Sequence, residues 1–509
     1  MRKCEIILED NVLLVNVAYK FWSTEMKITN NLSSKDKMMW FFLVTGILFF
    51  MANYYYVDLE ETTYSTLNFL RAIISGKPTD FYSTCYPINQ GSLLGKPIIG
   101  GVYSVVLYVI FSLWEWPLLI YEYATGNSFF YSFAMVSYSK GILLLFFGLS
   151  IWAMYRLIIR VFGNEIQDIN NYLFLYASCP LCLYAILVTT TYDIISVFFT
   201  IFALYYYLEN DKKYLIFFSL AIACKIFAIW IFIPLLLLRE KRIWKIIIYF
   251  CAGISLLILP DFLLKVICIV SNGGGLSELS ANPLTIRIFV DYLFYNSSTI
   301  TTSVPLVFVS TFTIWILCYF ANGHKINNIQ IIYIALLSLS TLFLFGECHP
   351  YWIILVAPYV IILMIQNEDI LLLNTIIVSI MAVGWIWTKA ICSPGCYAGS
   401  LANFSLISRF TGNHDLSYNS GIWGIVNYIQ EMTAFRADVF LKLGYALFIG
   451  LFIAFLVFNI PISKVQEIIK EYATKQVDQM QKSKYLIITT SFLICVIPVI
   501  FYLIWTCLG

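Results

Sequence analysis

Long apolar runs separated by short polar connections dominate the chain after its first 37 residues. Most runs hold about 20 residues with few charges, the length of an α-helix that crosses roughly 30 Å of hydrocarbon. This pattern predicts an all-α, polytopic transmembrane protein with about thirteen spans. The predicted spans lie near residues 38–57, 141–162, 172–190, 193–208, 213–227, 228–239, 243–265, 303–321, 329–346, 351–366, 370–388, 438–460 and 485–506.

Two runs depart from the simple pattern. The run 213–238 is too long for one span and has Lys225 in its middle, which predicts a pair of short helices, 213–227 and 228–239. The run 99–120 is interrupted by Glu115 and Pro117, and we expect it to lie along the outer membrane surface as a juxtamembrane helix. Placing it there lets every cluster of Lys and Arg fall on the cytoplasmic side, as the positive-inside rule requires.

The distribution of basic residues predicts one membrane domain whose polar loops face outward. The short connections between spans are rich in Lys and Arg, whereas the long polar stretches are not. Any chemistry is therefore expected on the extracytoplasmic face. The predicted divisions are a cytoplasmic segment 1–37, a transmembrane module 38–388 with an outer loop 58–139, an extracytoplasmic loop 389–437, and C-terminal helices 438–509 with a basic cytoplasmic segment 461–484.

The composition excludes a soluble globular enzyme. Hydrophobic residues make up 61% of the 509 positions and charged residues only 12%, against about 25% charged residues in soluble domains. A soluble protein of this length could not cover so much apolar surface with polar groups. The net charge of +2 and the lack of a basic run interleaved with aromatic residues give no sign of a nucleic-acid partner.

Charges beside membrane spans are costly and are therefore candidates for function. Asp58, with Glu60 and Glu61, directly follows the first span. An acid held there could act as a general base towards a hydroxyl group, or it could be an ordinary solvated acid at the interface. Asp193 follows Tyr192 at the start of another span, where it could orient a substrate hydroxyl or simply cap the helix.

A lysine and a histidine-containing turn complete the candidates. Lys225 lies within an apolar run, where its ammonium could bind a phosphate or extend to the membrane interface. The turn between two late spans holds Glu347, His349 and Tyr351. His349 could donate a hydrogen bond to a phosphate or sugar oxygen, or it could be structural.

Several common sites are missing from the sequence. It has no nucleotide-phosphate loop, no dinucleotide-binding fingerprint and no serine-hydrolase elbow, which argues against a cytosolic nucleotide site. Cys392 and Cys396 lie close together in a polar loop, where a disulfide is one alternative and free thiols the other. No second pair of ligands accompanies them, so a zinc site is not expected.

Taken in chain order, these segments resemble the GT-C superfamily of integral-membrane glycosyltransferases. In that family an acid opens the first outer loop, where this chain has Asp58, and a juxtamembrane helix follows, where it has the run 99–120. The resemblance extends over roughly residues 38–366. The other similar segments are residues 75–82 with Asp80, residues 191–193 with Asp193, residues 215–237 with Lys225 and Pro234, and residues 347–351 with Glu347, His349 and Tyr351.

The resemblance implies an inverting transferase in a bacterial plasma membrane, with its active site on the extracytoplasmic face. The donor would be a polyprenyl-phosphate-linked sugar and the acceptor a cell-envelope glycan or lipid. Asp58 would be the base, with Lys225 and His349 near the phosphate. No cofactor is implied, and a divalent metal is not favoured because the first loop has no Asp-x-Asp sequence. The other donor-binding or substrate-binding candidates are Glu61, Asp80, Asp193, Glu347 and Tyr351.

Two other functions remain open from the sequence. A polysaccharide polymerase or a flippase would also handle lipid-linked sugars, but a polymerase is expected to carry paired arginines in large outer loops. The late loop has only Arg409 and Arg436. A solute transporter would place charged residues in broken helices near the bilayer midplane, whereas most acids here gather at the outer boundary.

Overall fold

The computed structural model describes residues 33–54, 57–82, 103–126, 133–163, 168–271, 284–295, 304–392, 437–462 and 479–508, with a few single positions between them. Within these residues the backbone is almost entirely helical and has no β-strand, which confirms the all-α class. The predicted outer loop 389–437 and the pair Cys392 and Cys396 lie largely outside the described residues.

The helices follow the apolar runs closely. In chain order they are α1 (Ser34–Asn53), α2 (Val57–Ile74), α3 (Val105–Thr125), α4 (Phe133–Phe162), α5 (Ile169–Ala177), α6 (Pro180–Leu183) with a π-turn at Tyr184–Val188, α7 (Asp193–Leu208), α8 (Tyr214–Cys224), α9 (Ile229–Arg239), α10 (Ile243–Ser271), α11 (Thr285–Tyr295), α12 (Leu306–Phe320), α13 (Asn328–Phe345), α14 (Ala357–Gln366), α15 (Leu371–Cys392), α16 (Ala437–Phe458) and α17 (Gln479–Leu508). Short 3₁₀ helices occur at Pro78–Asp80, Ile226–Ala228, Gly323–Lys325, Pro350–Val356 and Glu368–Ile370.

Seven of the described helical segments are long and apolar enough to cross a membrane, and six further apolar segments are shorter. Every span predicted from the sequence coincides with one of the helices or with a consecutive pair. The first span differs at its end, because α1 stops at Asn53 and Tyr54 is extended before α2 begins. Helix α3 is among the seven by length and composition, so its juxtamembrane position remains a prediction.

Helix α3 packs along α2, and this contact explains the acid within its apolar sequence. Glu115 is fully buried and accepts a hydrogen bond from the Thr63 hydroxyl at 2.7 Å. A buried acid needs such a partner, since a polar group removed from water is costly when unpaired. Arg71 and Glu122 form a second link between the two helices at 2.5 Å.

The centre of the fold is formed by short, interrupted helices surrounded by longer ones. Residues 169–188 and 357–365 are almost completely buried, whereas α1, α10 and α12 expose many large apolar side chains. Exposed apolar side chains of this kind suit contact with lipid. The interrupted central helices are thus surrounded by protein rather than by lipid. This is where a membrane protein tolerates irregular backbone.

Three interruptions of the central helices meet at one end of this centre. The first is the turn between the π-turn and α7, and the second is the break at Lys225, whose backbone is extended (φ −152°, ψ 116°). The third is the non-helical stretch between α13 and the 3₁₀ helix Pro350–Val356. The π-turn and α7 both pack against this 3₁₀ helix, so the interruptions bring polar side chains from distant parts of the sequence together.

Candidate active site

Asp58 lies in the first turn of α2 and is 8% exposed. Its carboxylate accepts a hydrogen bond from the Tyr351 hydroxyl. Its other oxygen, Oδ2, is buried and has no hydrogen-bond partner among the described residues. Burial raises the pKa of Asp58 to about 6, an effect that the Tyr351 hydrogen bond and the nearby Lys225 charge reduce and that the Asp193 charge increases. Asp58 thus has the protonation behaviour of a general base near neutral pH.

Lys225 and Asp193 form an ion pair beside Asp58. The Lys225 ammonium is 2.8 Å from an oxygen of Asp193, whose side chain is fully buried. Asp193 is the first residue of α7 and Lys225 directly follows the last residue of α8. Each charge therefore lies at the helix end whose dipole stabilises it. The pairing offsets part of the cost of burying the two charges.

Aromatic rings enclose the Lys225 ammonium. Its nitrogen lies 5.0 Å from the ring centre of Tyr192, 5.4 Å from that of Tyr351, 5.5 Å from that of Trp352 and 5.9 Å from that of Phe227. Ring faces attract a cation at these distances, and more strongly where water is excluded. We call Asp58, Asp193, Lys225, Tyr351 and Trp352 the Asp58–Lys225 cluster.

His349 extends the cluster towards α11. Its ring is stacked between Tyr292 and Tyr351, with centres 5.8 Å and 5.5 Å away and interplanar angles of 20° and 17°. Trp352 meets it edge-on at 4.9 Å. The Tyr292 hydroxyl donates to the Glu347 carbonyl oxygen at 2.6 Å, which fixes α11 to this turn.

Tyr103 borders the cluster through its contact with Tyr192. Its ring centre lies 4.8 Å from that of Tyr192. Burial raises the pKa of Tyr103 well above its usual value, and the charges of Asp58 and Glu61 raise it further. Glu61 is half-buried, so it borders the cluster with its charge close to Tyr103.

The structure brings together most of the site residues predicted from the sequence. Asp58, Asp193, Lys225 and Tyr351 are in mutual contact or charge interaction, and His349 stacks on Tyr351.

The side chains of two predicted residues do not join the cluster. Glu347 exposes its side chain and contributes a backbone carbonyl. Asp80 lies beyond the far end of α2, which is about 27 Å long, in a 3₁₀ turn that packs against α10.

Two residues in contact with the cluster, Tyr103 and Tyr292, and a strained residue two positions before Tyr192 were missed by the sequence analysis. Tyr103 precedes α3 in a segment that carries no motif. Tyr292 lies beside the buried Phe289 and Leu293 on an amphipathic helix, where an aromatic residue is expected from packing alone. Thr190 is fully buried and has a positive φ of 41°, which a β-branched residue rarely adopts. The run of three threonines before Tyr192 was visible in the sequence, but nothing in it indicates backbone strain.

A second buried polar cluster lies on α10, separate from the first. The Lys265 ammonium is 3.3 Å from Asp261, and the Tyr82 hydroxyl donates to the same carboxylate at 2.8 Å. The backbone N–H of Thr285 donates to the other Asp261 oxygen at 3.3 Å. These bonds hold Tyr82, which lies beyond the end of α2, and the start of α11 against α10.

Metal ligands do not converge within the described residues, where no group of three or more His, Cys, Asp or Glu side chains lies close enough to hold an ion. The charged groups of the Asp58–Lys225 cluster are two carboxylates and one ammonium. A carboxylate at Asp58 can accept a proton, and an ammonium at Lys225 can bind an anion.

Comparisons with known proteins give a distant structural likeness. No protein-family model matches the chain, and no curated protein matches its sequence. The crystal structure of ArnT from Cupriavidus metallidurans bound to undecaprenyl phosphate is similar over 92% of this chain and 76% of that chain, with 10% sequence identity and a TM-score of 0.42. A likeness this distant transfers no function.

Proposed function

We propose that this protein is an inverting glycosyltransferase that moves a sugar from a polyprenyl-phosphate-linked donor to an acceptor hydroxyl. The observation that carries the proposal is the shared position of Asp58 and Lys225 in one buried cluster. A base for the acceptor and a cation for the leaving phosphate are the two groups that inverting transfer needs. The two residues are 167 positions apart in the sequence, so their meeting is a property of the fold.

The reaction uses these two groups in one displacement. The acceptor oxygen forms a bond to the anomeric carbon while Asp58 takes the hydroxyl proton. The bond from the anomeric carbon to the phosphate oxygen breaks, and the electron pair leaves with the polyprenyl phosphate. Lys225 stabilises the negative charge that develops on the leaving phosphate, and this interaction is strong because water is largely excluded.

Asp58 is prepared for its part by its surroundings. With a pKa of about 6 it is mainly ionised at neutral pH and still binds a proton readily. The Tyr351 hydroxyl occupies one carboxylate oxygen, and Oδ2 faces no hydrogen-bond donor among the described residues. An acceptor hydroxyl that donates to Oδ2 would satisfy the remaining oxygen and be placed for proton transfer.

A lipid-linked donor suits a site enclosed by membrane helices. Its polyprenyl tail stays in the hydrocarbon, so only the phosphate and the sugar need to enter the polar cluster. The distribution of Lys and Arg favours the extracytoplasmic side for this cluster. We therefore propose a cell-envelope glycan or lipid as the acceptor and a bacterial plasma membrane as the location.

One observation favours solute transport as a second candidate. Lys225 lies at a break between two short apolar helices and pairs with a fully buried acid. Charged groups at broken helices form the substrate sites of many transporters. A transporter would move solute across a vesicle membrane without forming a glycosidic bond, so the two functions have different products.

The test is incubation of the purified full-length protein with polyprenyl-phosphate sugars and hydroxyl acceptors. We expect wild type to release polyprenyl phosphate and form glycoside, and Asp58→Asn to lose this activity by about 10²- to 10⁴-fold. Asp211→Asn, an exposed acid between α7 and α8, serves as the control and should retain it. Equal turnover by Asp58→Asn would remove Asp58 as the base, and uptake of sugar without transfer would support the transporter instead.

A further inference from the structure

Trp352 lies at the centre of the aromatic surface that faces Lys225. It belongs to the 3₁₀ helix Pro350–Val356 and is 7% exposed. Its ring centre is 4.2 Å from that of Phe227 and 4.9 Å from that of His349, and the Lys225 nitrogen is 5.5 Å from it. Because three neighbouring groups contact the indole, its orientation is fixed by packing.

The indole N–H of Trp352 is buried without a hydrogen-bond partner among the described residues. Other tryptophans of the protein use this group. The N–H of Trp230 donates to Thr311 at 2.9 Å, and that of Trp385 donates to the Pro350 carbonyl at 2.7 Å. A buried donor that lacks an acceptor costs free energy, and buried Trp N–H groups usually find a partner.

The neighbours of this N–H define the ligand that would satisfy it. The indole nitrogen donates and cannot accept, and so does the Lys225 ammonium. Asp193 takes up part of the bonding capacity of that ammonium, but an ammonium has three donors. A phosphate has several anionic acceptor oxygens, so one of them can accept from the fixed N–H while another binds the cation that lies over the same ring.

We propose that the Trp352 indole N–H is a second phosphate-binding group, which donates to an oxygen of the lipid-linked phosphate that Lys225 binds. This assignment rests on the proposed function and adds a residue to its donor site. Lys225 contributes a positive charge on a flexible side chain. Trp352 contributes a hydrogen-bond donor whose orientation is fixed by the packing of its ring. Together they orient the phosphate so that the anomeric carbon faces Asp58.

Binding to two lipids tests the assignment. Polyprenyl phosphate and uncharged polyprenol are bound to the full-length wild type, to Trp352→Phe and to Trp315→Phe. Phenylalanine keeps an aromatic ring and removes the N–H. The Trp315 N–H also has no partner among the described residues, but its ring packs on Phe312 and Trp230, so this variant is a matched control.

We expect Trp352→Phe to weaken binding of polyprenyl phosphate by roughly tenfold and to leave binding of polyprenol unchanged. Trp315→Phe should bind both lipids as wild type does. If wild type distinguishes the two lipids and Trp352→Phe distinguishes them equally well, the Trp352 assignment fails while the proposed function stands. If wild type binds polyprenyl phosphate no better than polyprenol, the lipid-phosphate donor itself is wrong.

A spectroscopic measurement gives an independent readout. In protein labelled with ¹⁵N at the tryptophan indoles, the Trp352 signal is identified by its loss in Trp352→Phe. We expect this signal to move when polyprenyl phosphate is added and to stay in place with polyprenol, because a new hydrogen bond deshields the indole proton. An unmoved signal with bound polyprenyl phosphate would overturn the proposal.

Discussion

The Lys225 ammonium lies 2.8 Å from a carboxylate oxygen of Asp193, and this ion pair joins the break between α8 and α9 to the first turn of α7. The pair is largely buried, so removing either member leaves the other charge without its partner inside the protein. The contribution of the pair to the stability of the protein and its role in binding polyprenyl phosphate can be separated by mutation.

Removing one member of the pair should destabilise the protein more than removing both. Lys225→Met leaves Asp193 buried without a counter-charge, which costs about 3–5 kcal/mol. The double variant Lys225→Met with Asp193→Asn should recover most of this loss. Thermal unfolding in detergent checks the order, and the double variant should still fail to bind polyprenyl phosphate. Equal melting temperatures of the single and the double variant would contradict the pairing.

Asp58→Asn should stabilise the protein near neutral pH while it abolishes transfer. Because burial raises the folded-state pKa of Asp58 from 3.8 to about 6, the native state binds more protons between these values. Stability therefore falls as pH rises from about 4 to 6, by at most about 3 kcal/mol. The asparagine variant should unfold at a higher temperature than wild type at pH 7.5 and at a similar temperature at pH 4. A lower melting temperature at pH 7.5 would contradict this electrostatic account.

The acid limb of the pH–activity profile should report the ionisation of Asp58. We expect kcat/KM of wild type to fall as pH drops below about 6, because the base becomes protonated. The Tyr351 hydrogen bond lowers the pKa of Asp58, so Tyr351→Phe should move the limb to higher pH. Tyr292→Phe removes a hydroxyl that bonds to the Glu347 carbonyl instead, and its limb should stay in place. If the acid limb of Tyr351→Phe lies at the same pH as that of wild type, the hydrogen bond from Tyr351 to Asp58 is excluded.

Thr190→Gly should raise the melting temperature. Thr190 has a φ of 41°, and a side chain held in a sparsely populated backbone region costs about 1–3 kcal/mol. Glycine adopts this conformation readily. Thr189→Gly is the control: this residue has a φ of −95° and its hydroxyl donates to the Ala185 carbonyl at 2.9 Å, so its replacement should lower the melting temperature. The reverse order of the two variants would exclude strain at Thr190.

The apolar periodicity of the sequence was sufficient to predict the helices, and a single charge predicted the break at Lys225. Long membrane-spanning helices are easily recognised in a sequence. Lipid offers no hydrogen-bond partners, so a spanning segment must be a continuous apolar run whose backbone bonds to itself. The predicted end of the first span at residue 57 was too late, because the extended backbone of Tyr54 depends on tertiary contacts that the sequence does not show. Its hydroxyl donates to the Cys495 carbonyl at 2.5 Å, far away in the sequence.

The candidate site was predictable where a charge marked it and unpredictable where packing defined it. Asp58, Asp193 and Lys225 stood out because charges beside apolar runs are rare. Tyr103 and Tyr292 are two of 36 tyrosines, and only their distances to Tyr192 and His349 distinguish them. Asp80 matched the sequence pattern of the resembled family. It lies beyond the last turn of α2, however, whereas Asp58 lies in the first turn.

The cluster is assembled from segments that leave the ribosome at very different times. Asp58, Asp193 and Lys225 belong to the first half of the chain, while Tyr351 and Trp352 follow only after α13. A nascent polypeptide that stops before Pro350 can form the ion pair, but it lacks the hydroxyl on Asp58 and half of the rings around Lys225. The proposed activity therefore requires the later segments, and we expect a ribosome-bound intermediate ending before that proline to lack it.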